Sequence, residues 1–127
     1  MITKPSPHTV TVTIDRIEAA LKAKGIAIVA RWDHATAAAQ VGMTLRPMQL
    51  LIFGNPRLGT PLIQGNPQIG VDLPVRVLAW EDEAGRVWVG YTAPAELATR
   101  YQVGDQVDAV QKISAVLEQL TAAAVQP

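Results

Sequence analysis

The chain places one carboxylate directly beside one histidine, at Asp33-His34. A histidine poised by a carboxylate can serve as a general acid or base, or as a metal ligand through its neutral nitrogen. In the alternative interpretation, Asp33 caps the helical turn that follows and His34 fills a polar niche. Because adjacent side chains of a strand point to opposite faces, Asp33 cannot orient His34 if one strand runs through both. We therefore favour the capping role and keep Asp33 and His34 as catalytic candidates.

A second candidate site is the turn that begins at Asn55. Asn55 can cap a helix whose first position is taken by Pro56, where the missing amide costs nothing. The amides and partial positive charge of a helix N-terminus suit an anion. Arg57 and the Thr60 hydroxyl would add contacts, and Gly59 would allow close approach. The ligand-binding candidates are thus Asn55, Arg57, Gly59 and Thr60, although each residue also has an ordinary capping or turn role.

Other kinds of site find little support. The chain has no cysteine and only two histidines, His8 and His34, and its carboxylates show no tight ligand spacing. We therefore predict no metal site, and the sequence identifies no cofactor. Ser6 and Ser114 lie in tail and helix contexts, and Thr60 has no evident neighbouring base, so nucleophilic catalysis is not indicated.

Charge and hydropathy narrow the class of partner. Eleven Lys and Arg balance eleven Asp and Glu, whereas proteins that grip nucleic acid or anionic lipid need a cationic surplus. No apolar run approaches the roughly 20 residues of a membrane helix, and the first residues lack the apolar run of a secretory signal. We expect a soluble, cytoplasmic protein that binds neither nucleic acid nor membrane. The tryptophans at positions 32, 80 and 88 are expected to pack in a core or a dimer interface.

Local patterns predict helices and strands in alternation. The expected helices cover residues 9–24, a short Ala-rich stretch before Gly42, two turns that each begin with Asn-Pro, a segment capped by Thr92, and residues 105–124 capped by Asp105. Strands are expected at 26–32 and 47–53. Prolines at positions 5 and 7 disfavour a strand over residues 2–8.

The clearest local feature is a hairpin over residues 75–91. A three-residue loop ending at Gly85 is a favoured connection between two alternating runs. This register places Trp80 opposite Trp88 and Asp82 opposite Arg86. With at least one antiparallel pair, the chain of 127 residues is expected to form one two-layer α+β domain, a mixed or antiparallel sheet packed with helices.

The last helix carries an apolar stripe at helical spacing. A helix with one such face must dock on something, and both the sheet and a partner subunit are open as its support. Because a net charge of zero does not discourage self-association, we expect a homodimer. The stripe consists of Val107, Val110, Ile113, Leu117, Leu120 and Ala124.

Several short motifs follow one another through the chain: Asp33-His34, Leu45-x-Pro47, Phe53-Gly54-Asn55-Pro56-x-x-Gly59-Thr60-Pro61-Leu62, Asp72-Leu73-Pro74, Trp80-Glu81-Asp82 and Val87-Trp88-Val89-x-Tyr91. Together they resemble the domain-of-unknown-function 302 family, DUF302. The resemblance is strongest over residues 9–101 and implies an α+β fold with helices against a sheet. It implies no particular biochemical activity.

Three functions remain open at this point. The first is a small dimeric module that binds a small apolar or anionic ligand, or a protein partner, in a pocket near Asp33-His34 and the Asn55–Thr60 turn. The second is an enzyme that uses His34 as acid or base while the turn holds an anion. The third is a structural role, with the C-terminal stripe and the hairpin face forming an interface.

Overall fold

The computed structural model covers residues 1–127 and contains five strands and five α-helices. A short 3₁₀ helix, Pro67–Asp72, follows the third α-helix. The strands are β1 (Ile2–Ser6), β2 (Ala27–Asp33), β3 (Met48–Gly54), β4 (Arg76–Glu81) and β5 (Val87–Tyr91). The α-helices are α1 (Val10–Ala23), α2 (His34–Gln40), α3 (Pro56–Gly65), α4 (Pro94–Arg100) and α5 (Val107–Ala124).

One antiparallel sheet organises the molecule, with the strand order β1-β5-β4-β3-β2. Helices α1 and α5 pack against each other and against one face of this sheet. Along β3 the side chains alternate between buried and half-buried, as expected when helices cover a single face. The predicted α+β class is confirmed.

The first strand forms despite its proline. β1 pairs only with β5, and Pro5 lies opposite Trp88. An edge strand tolerates proline because one of its two sides has no neighbouring strand, so an amide that faces this side makes no hydrogen bond within the sheet. The prolines that disfavour a strand over residues 2–8 therefore do not prevent one over Ile2–Ser6.

The hairpin has the predicted register. Trp80 pairs with Trp88, and the loop closes at Gly85, whose φ of 80° is one that glycine adopts without strain. The Asp82 carboxylate accepts hydrogen bonds from the Ala84 and Arg86 amides and from Trp88 Nε1. One carboxylate thus holds both the loop and the aromatic pair.

The C-terminal stripe docks on the chain's own core. Ile113, Leu117, Leu120 and Ala124 are buried among side chains of the sheet and α1, Val110 is partly buried, and Val107 is 51% exposed. For the four buried residues, the prediction that this stripe forms an assembly interface is therefore wrong. The helix begins one residue later than predicted, because Gln106, not Asp105, precedes its first residue. Helix α4 likewise follows Ala93 without a side-chain cap, and not Thr92.

Candidate functional site: an apolar pocket

A pocket of about 380 Å³ opens at one end of the sheet. Its walls come from the beginning of β2, the end of β3, helix α3, the segment between the 3₁₀ helix and β4, and the middle of α5. This volume lies within the range of about 300–1,000 Å³ that holds small molecules.

The lining of the pocket carries no charged residue. Phe53 and Leu117 are fully buried at its wall, whereas Val29 is 61% exposed. Among the lining side chains only Asn55 and Thr60 are polar, and both are exposed to solvent. The site is an apolar cavity with two hydrogen-bonding groups accessible to solvent.

The Asn-Pro turn builds one wall as its sequence predicts. Asn55 has extended backbone angles and accepts from the Arg57 amide at 3.0 Å through Oδ1, and Pro56 takes the first helical position. A close approach fixes the adjoining corner, because a Cβ at position 54 would lie 3.0 Å from Pro74 Cβ. Glycine at 54 therefore lets β3 and the segment before β4 meet behind the pocket.

The amides of this helix start are already used. The Arg57 amide donates to Asn55 Oδ1, and the Leu58 and Gly59 amides both donate to the Asn55 carbonyl, at 2.9 and 3.0 Å. Pro56 has no N–H to offer. No amide in this first turn is left for an anion, and the exposed Arg57 lies outside the lining. Of the four predicted ligand-binding residues, the structure brings Asn55, Gly59 and Thr60 to the pocket.

Asp33 and His34 lie at the opposite end of the strands. In the β2–β3 register, Ala27 pairs with Gly54 and Asp33 with Gln49. Six residues of strand separate these ends by about 20 Å. The predicted single pocket near both Asp33-His34 and the Asn55–Thr60 turn is therefore wrong.

At that far end, Asp33 performs the capping role. Its carboxylate accepts from the Thr36 amide at 2.9 Å at the start of α2 and lies 3.4 Å from Gln49 Nε2. His34 is the first residue of α2, half-buried, and does not line the pocket. An enzyme that combines His34 with the Asn55–Thr60 turn is not supported by this geometry.

The buried polar groups beside Asp33 are all paired. Gln49, only 7% exposed, accepts from Arg31 Nε at 2.9 Å and donates to Thr11 Oγ1 at 3.1 Å. The Arg31 guanidinium continues to the carboxylates of α1, at 2.7 Å from Asp15 and 2.9 Å from Glu18. These hydrogen bonds and ion pairs connect β2, β3 and α1, so the role of the cluster is structural.

A cluster around Tyr101 holds the 3₁₀ segment that forms part of the pocket wall. The Tyr101 hydroxyl donates to Asp72, Arg100 pairs with the same carboxylate at 3.1 Å, and Asn66 Nδ2 donates to the Tyr101 carbonyl. The tyrosine hydroxyl, then the arginine, lower the pKa of Asp72. The same hydrogen bond raises the pKa of Tyr101. Sequence reasoning missed this cluster because its members are about 30 residues apart and form no local motif.

No group of three or more His, Asp or Glu residues lies close enough together to hold a metal ion. None of the helices combines the length and the apolar character that crossing a bilayer requires.

The family model for "Domain of unknown function DUF302" matches residues 2–120. The chain belongs to the DUF302 family. The match includes β1 and most of α5, beyond the stretch 9–101 in which the motifs are densest.

Among solved structures, this DUF302 chain is similar to an uncharacterized conserved DUF302 protein from Bacillus stearothermophilus. The two have a TM-score of 0.85 at 19% sequence identity, over 98% of this chain and 97% of the other. At this identity the likeness establishes the fold alone.

Curated relatives carry a different kind of name. The chain is 44% identical over 112 residues to proteins named fluoride-specific ion channel FluC 1 from Brucella suis and Brucella abortus. The match covers 88% of this chain but only 44% and 42% of those proteins. This DUF302 chain therefore spans less than half the length of the curated relatives that it matches.

Proposed function

We propose that this DUF302 chain binds a small, uncharged apolar molecule in the pocket between α3, α5 and the end of the sheet. The lining of the pocket supports this proposal, because it is apolar and carries no charged residue, and it encloses about 380 Å³. Burial of apolar ligand surface contributes roughly 25 cal/mol per Å² removed from water. An anion would give up its hydration without a free amide or a cationic side chain in return.

Two polar groups give the bound molecule an orientation. Asn55 Oδ1 is occupied by the Arg57 amide, so the Asn55 amide nitrogen and the Thr60 hydroxyl are the groups that remain to meet a polar end. We infer a ligand with an apolar body and at most one neutral polar end, such as a hydroxyl or carbonyl. The predicted cytoplasmic location is part of this proposal, and fractionation of cells expressing the chain checks it.

Two fluorescent dyes test the proposal. N-phenyl-1-naphthylamine is uncharged, and 1-anilinonaphthalene-8-sulfonate has a similar aromatic body with an anionic group. We expect saturable binding of the neutral dye with one site per chain and weaker binding of the sulfonate. Equal binding of both dyes, or binding of neither, contradicts the proposal.

Glycine substitutions show whether the dye occupies this pocket. Gly59 and Gly70 both line it, and a Cβ at either position meets nothing closer than 3.9 Å. The new side chain of Gly59→Leu fills part of the pocket and displaces ligand surface equal to about one buried leucine side chain. The burial of that surface contributes about 1.5–3 kcal/mol to binding, so we expect roughly 10- to 100-fold weaker dye binding. Gly104→Leu is the matched control, because position 104 is equally open and lies outside the lining.

The Brucella relatives favour a second candidate, that of a companion domain for a fluoride channel. Their names describe ion channels, yet the matched part corresponds to a chain without a bilayer-crossing helix. Since a channel needs membrane-spanning segments, we infer that conduction belongs to the rest of those proteins. This chain would then act beside such a channel, as a module that changes its activity.

Fluoride efflux from liposomes tests this candidate. The channel part of a Brucella relative is reconstituted without its matched domain, and this chain is then added to one side of the membrane. A change in efflux rate on addition supports the companion role. If the folded chain leaves the efflux rate unchanged when it is added to either side of the membrane, the companion role is refuted for this channel.

A further inference from the structure

The sheet face opposite α1 and α5 is apolar, and neither of these two long helices covers it. Alternation along the strands places one set of side chains on this face: Trp32, Met48, Leu50, Ile52, Leu78, Trp80 and Trp88, which we call the open face. All three tryptophans of the chain belong to it. Charged side chains lie at the ends of this face. Arg76 pairs with Ile52 at one end, and at the hairpin loop Asp82 accepts from Trp88 Nε1 while the Arg86 guanidinium lies 5.0 Å from the centre of the Trp88 ring.

These side chains contrast with those of the helix-covered face. Leu51 and Val77 are fully buried, whereas their neighbours Leu50 and Leu78 are only half-buried and Trp32 is 53% exposed. An exposed fraction of that size leaves on the order of 100 Å² of one tryptophan in water. Contiguous apolar surface of this kind marks an interaction site.

The loop between α2 and β3 extends the apolar surface at the same end of the sheet as Trp32. It carries Val41, Met43 and Leu45, which are 72%, 66% and 49% exposed. Arg46 is the one charged residue of this loop. The apolar surface thus continues past the sheet edge.

We propose that the open face is the interface of a homodimer, in which it packs against the open face of a second copy. Five strands about 4.8 Å apart, each with about five residues at 3.3 Å, give a flat area of about 400 Å². Protruding side chains and the α2–β3 loop raise the accessible area toward the roughly 800 Å² per subunit of a standard interface.

A second copy suits the shape and charge of this surface. The face is a broad sheet, not a groove, and sheets pack face to face about 10 Å apart with interdigitating side chains. A two-fold axis sets identical patches against each other. Such an arrangement needs no complementary charge from a partner. The charged side chains Arg76, Asp82 and Arg86 lie at the ends of the open face, and Asp82 and Arg86 already contact Trp88. Aromatic enrichment with charge depletion is typical of interface centres.

Sedimentation velocity and paired variants test the dimer. We expect the full chain to sediment at twice its mass of 13.6 kDa. Trp32→Glu and Leu50→Lys place charges on the open face and should raise the dimer dissociation constant about 30-fold or more, as for interface hot spots. Val71→Glu is the matched control because Val71 is 76% exposed in the 3₁₀ helix. It should leave the dissociation constant unchanged.

The tryptophans supply a second readout that requires no substitution. Because all three lie on the open face, dilution of the unmodified chain should shift their emission to the red as the dimer dissociates. A monomer at every concentration overturns the proposal, as does a dimer that persists in both folded single variants, Trp32→Glu and Leu50→Lys. Circular dichroism establishes that each variant is folded. A red shift of the tryptophan emission on dilution, without a change in the sedimenting mass, also counts against the interface.

Discussion

Truncation of one α5 side chain measures how far the C-terminal helix belongs to the core. Leu120 is 1% exposed and lies in the main hydrophobic cluster. Leu→Ala at such a site removes transfer free energy and leaves a cavity, at a cost of about 2–5 kcal/mol. A domain of this length has a free energy of unfolding of about 6–19 kcal/mol at 0.05–0.15 kcal/mol per residue. We therefore expect Leu120→Ala to be folded but strongly destabilised.

Urea unfolding at one fixed protein concentration is the assay, followed by tryptophan fluorescence and circular dichroism. For a dependence of about 2 kcal/mol per molar urea, the midpoint should fall by about 1–2.5 M. Val107→Ala is the control on the same helix, because Val107 is 51% exposed. Its free energy of unfolding should change by no more than about 0.5 kcal/mol.

If Leu120→Ala loses less than about 1 kcal/mol and instead changes the number of subunits, the stripe is an interface and not part of the core. A loss equal to that of Val107→Ala would also show that α5 is not docked as described.

Three further outcomes follow from polar contacts. Tyr101→Phe should flatten the pH dependence of the urea midpoint: the lowered pKa of Asp72 gives stability that is lost as pH falls below about 4, and the raised pKa of Tyr101 gives stability that is lost as pH rises above about 10. A midpoint profile identical to that of the unmodified chain would contradict this. His34→Ala should leave dye binding in the pocket unchanged in a titration, since His34 is not among the lining residues; a lost signal in a folded variant would return it to the site. Arg31→Ala should lower the free energy of unfolding by about 1–3 kcal/mol, because Gln49 is left buried without one of its partners; a denaturation midpoint within error of the unmodified one would show that this contact is redundant.

Local chemistry accounts for the parts of the fold that the sequence predicts. The hairpin register depends on a loop of three residues, and the caps at Asn55 and Asn66 depend on contacts two residues away. Strand-forming residues and helical spacing likewise operate within a few positions. The wrong helix start at Asp105 has a tertiary cause, because Val103 is fully buried and its carbonyl accepts from the Gln106 amide, which delays the helix.

Local sequence patterns predict only one wall of the pocket. Capping signals mark the Asn55–Thr60 turn as a candidate, but its partners in the lining come from α5 and from the beginning of β2, far along the chain. The connection over residues 34–47 is long enough for either an antiparallel return or a parallel crossover, which needs about a dozen residues. The sequence therefore could not show that Asp33 and Asn55 lie at opposite ends of the sheet.

The position of Leu117 has a consequence for finding the ligand. This side chain is part of the main core and also part of the pocket wall, so the pocket exists only in the folded chain. A molecule that binds there adds RT ln(1 + [L]/Kd) to the free energy of unfolding, about 2.7 kcal/mol at a hundredfold excess over Kd. Heat denaturation is thus itself a screen: among neutral apolar compounds, the ligand is the one that delays melting of the native chain and loses this effect in Gly59→Leu.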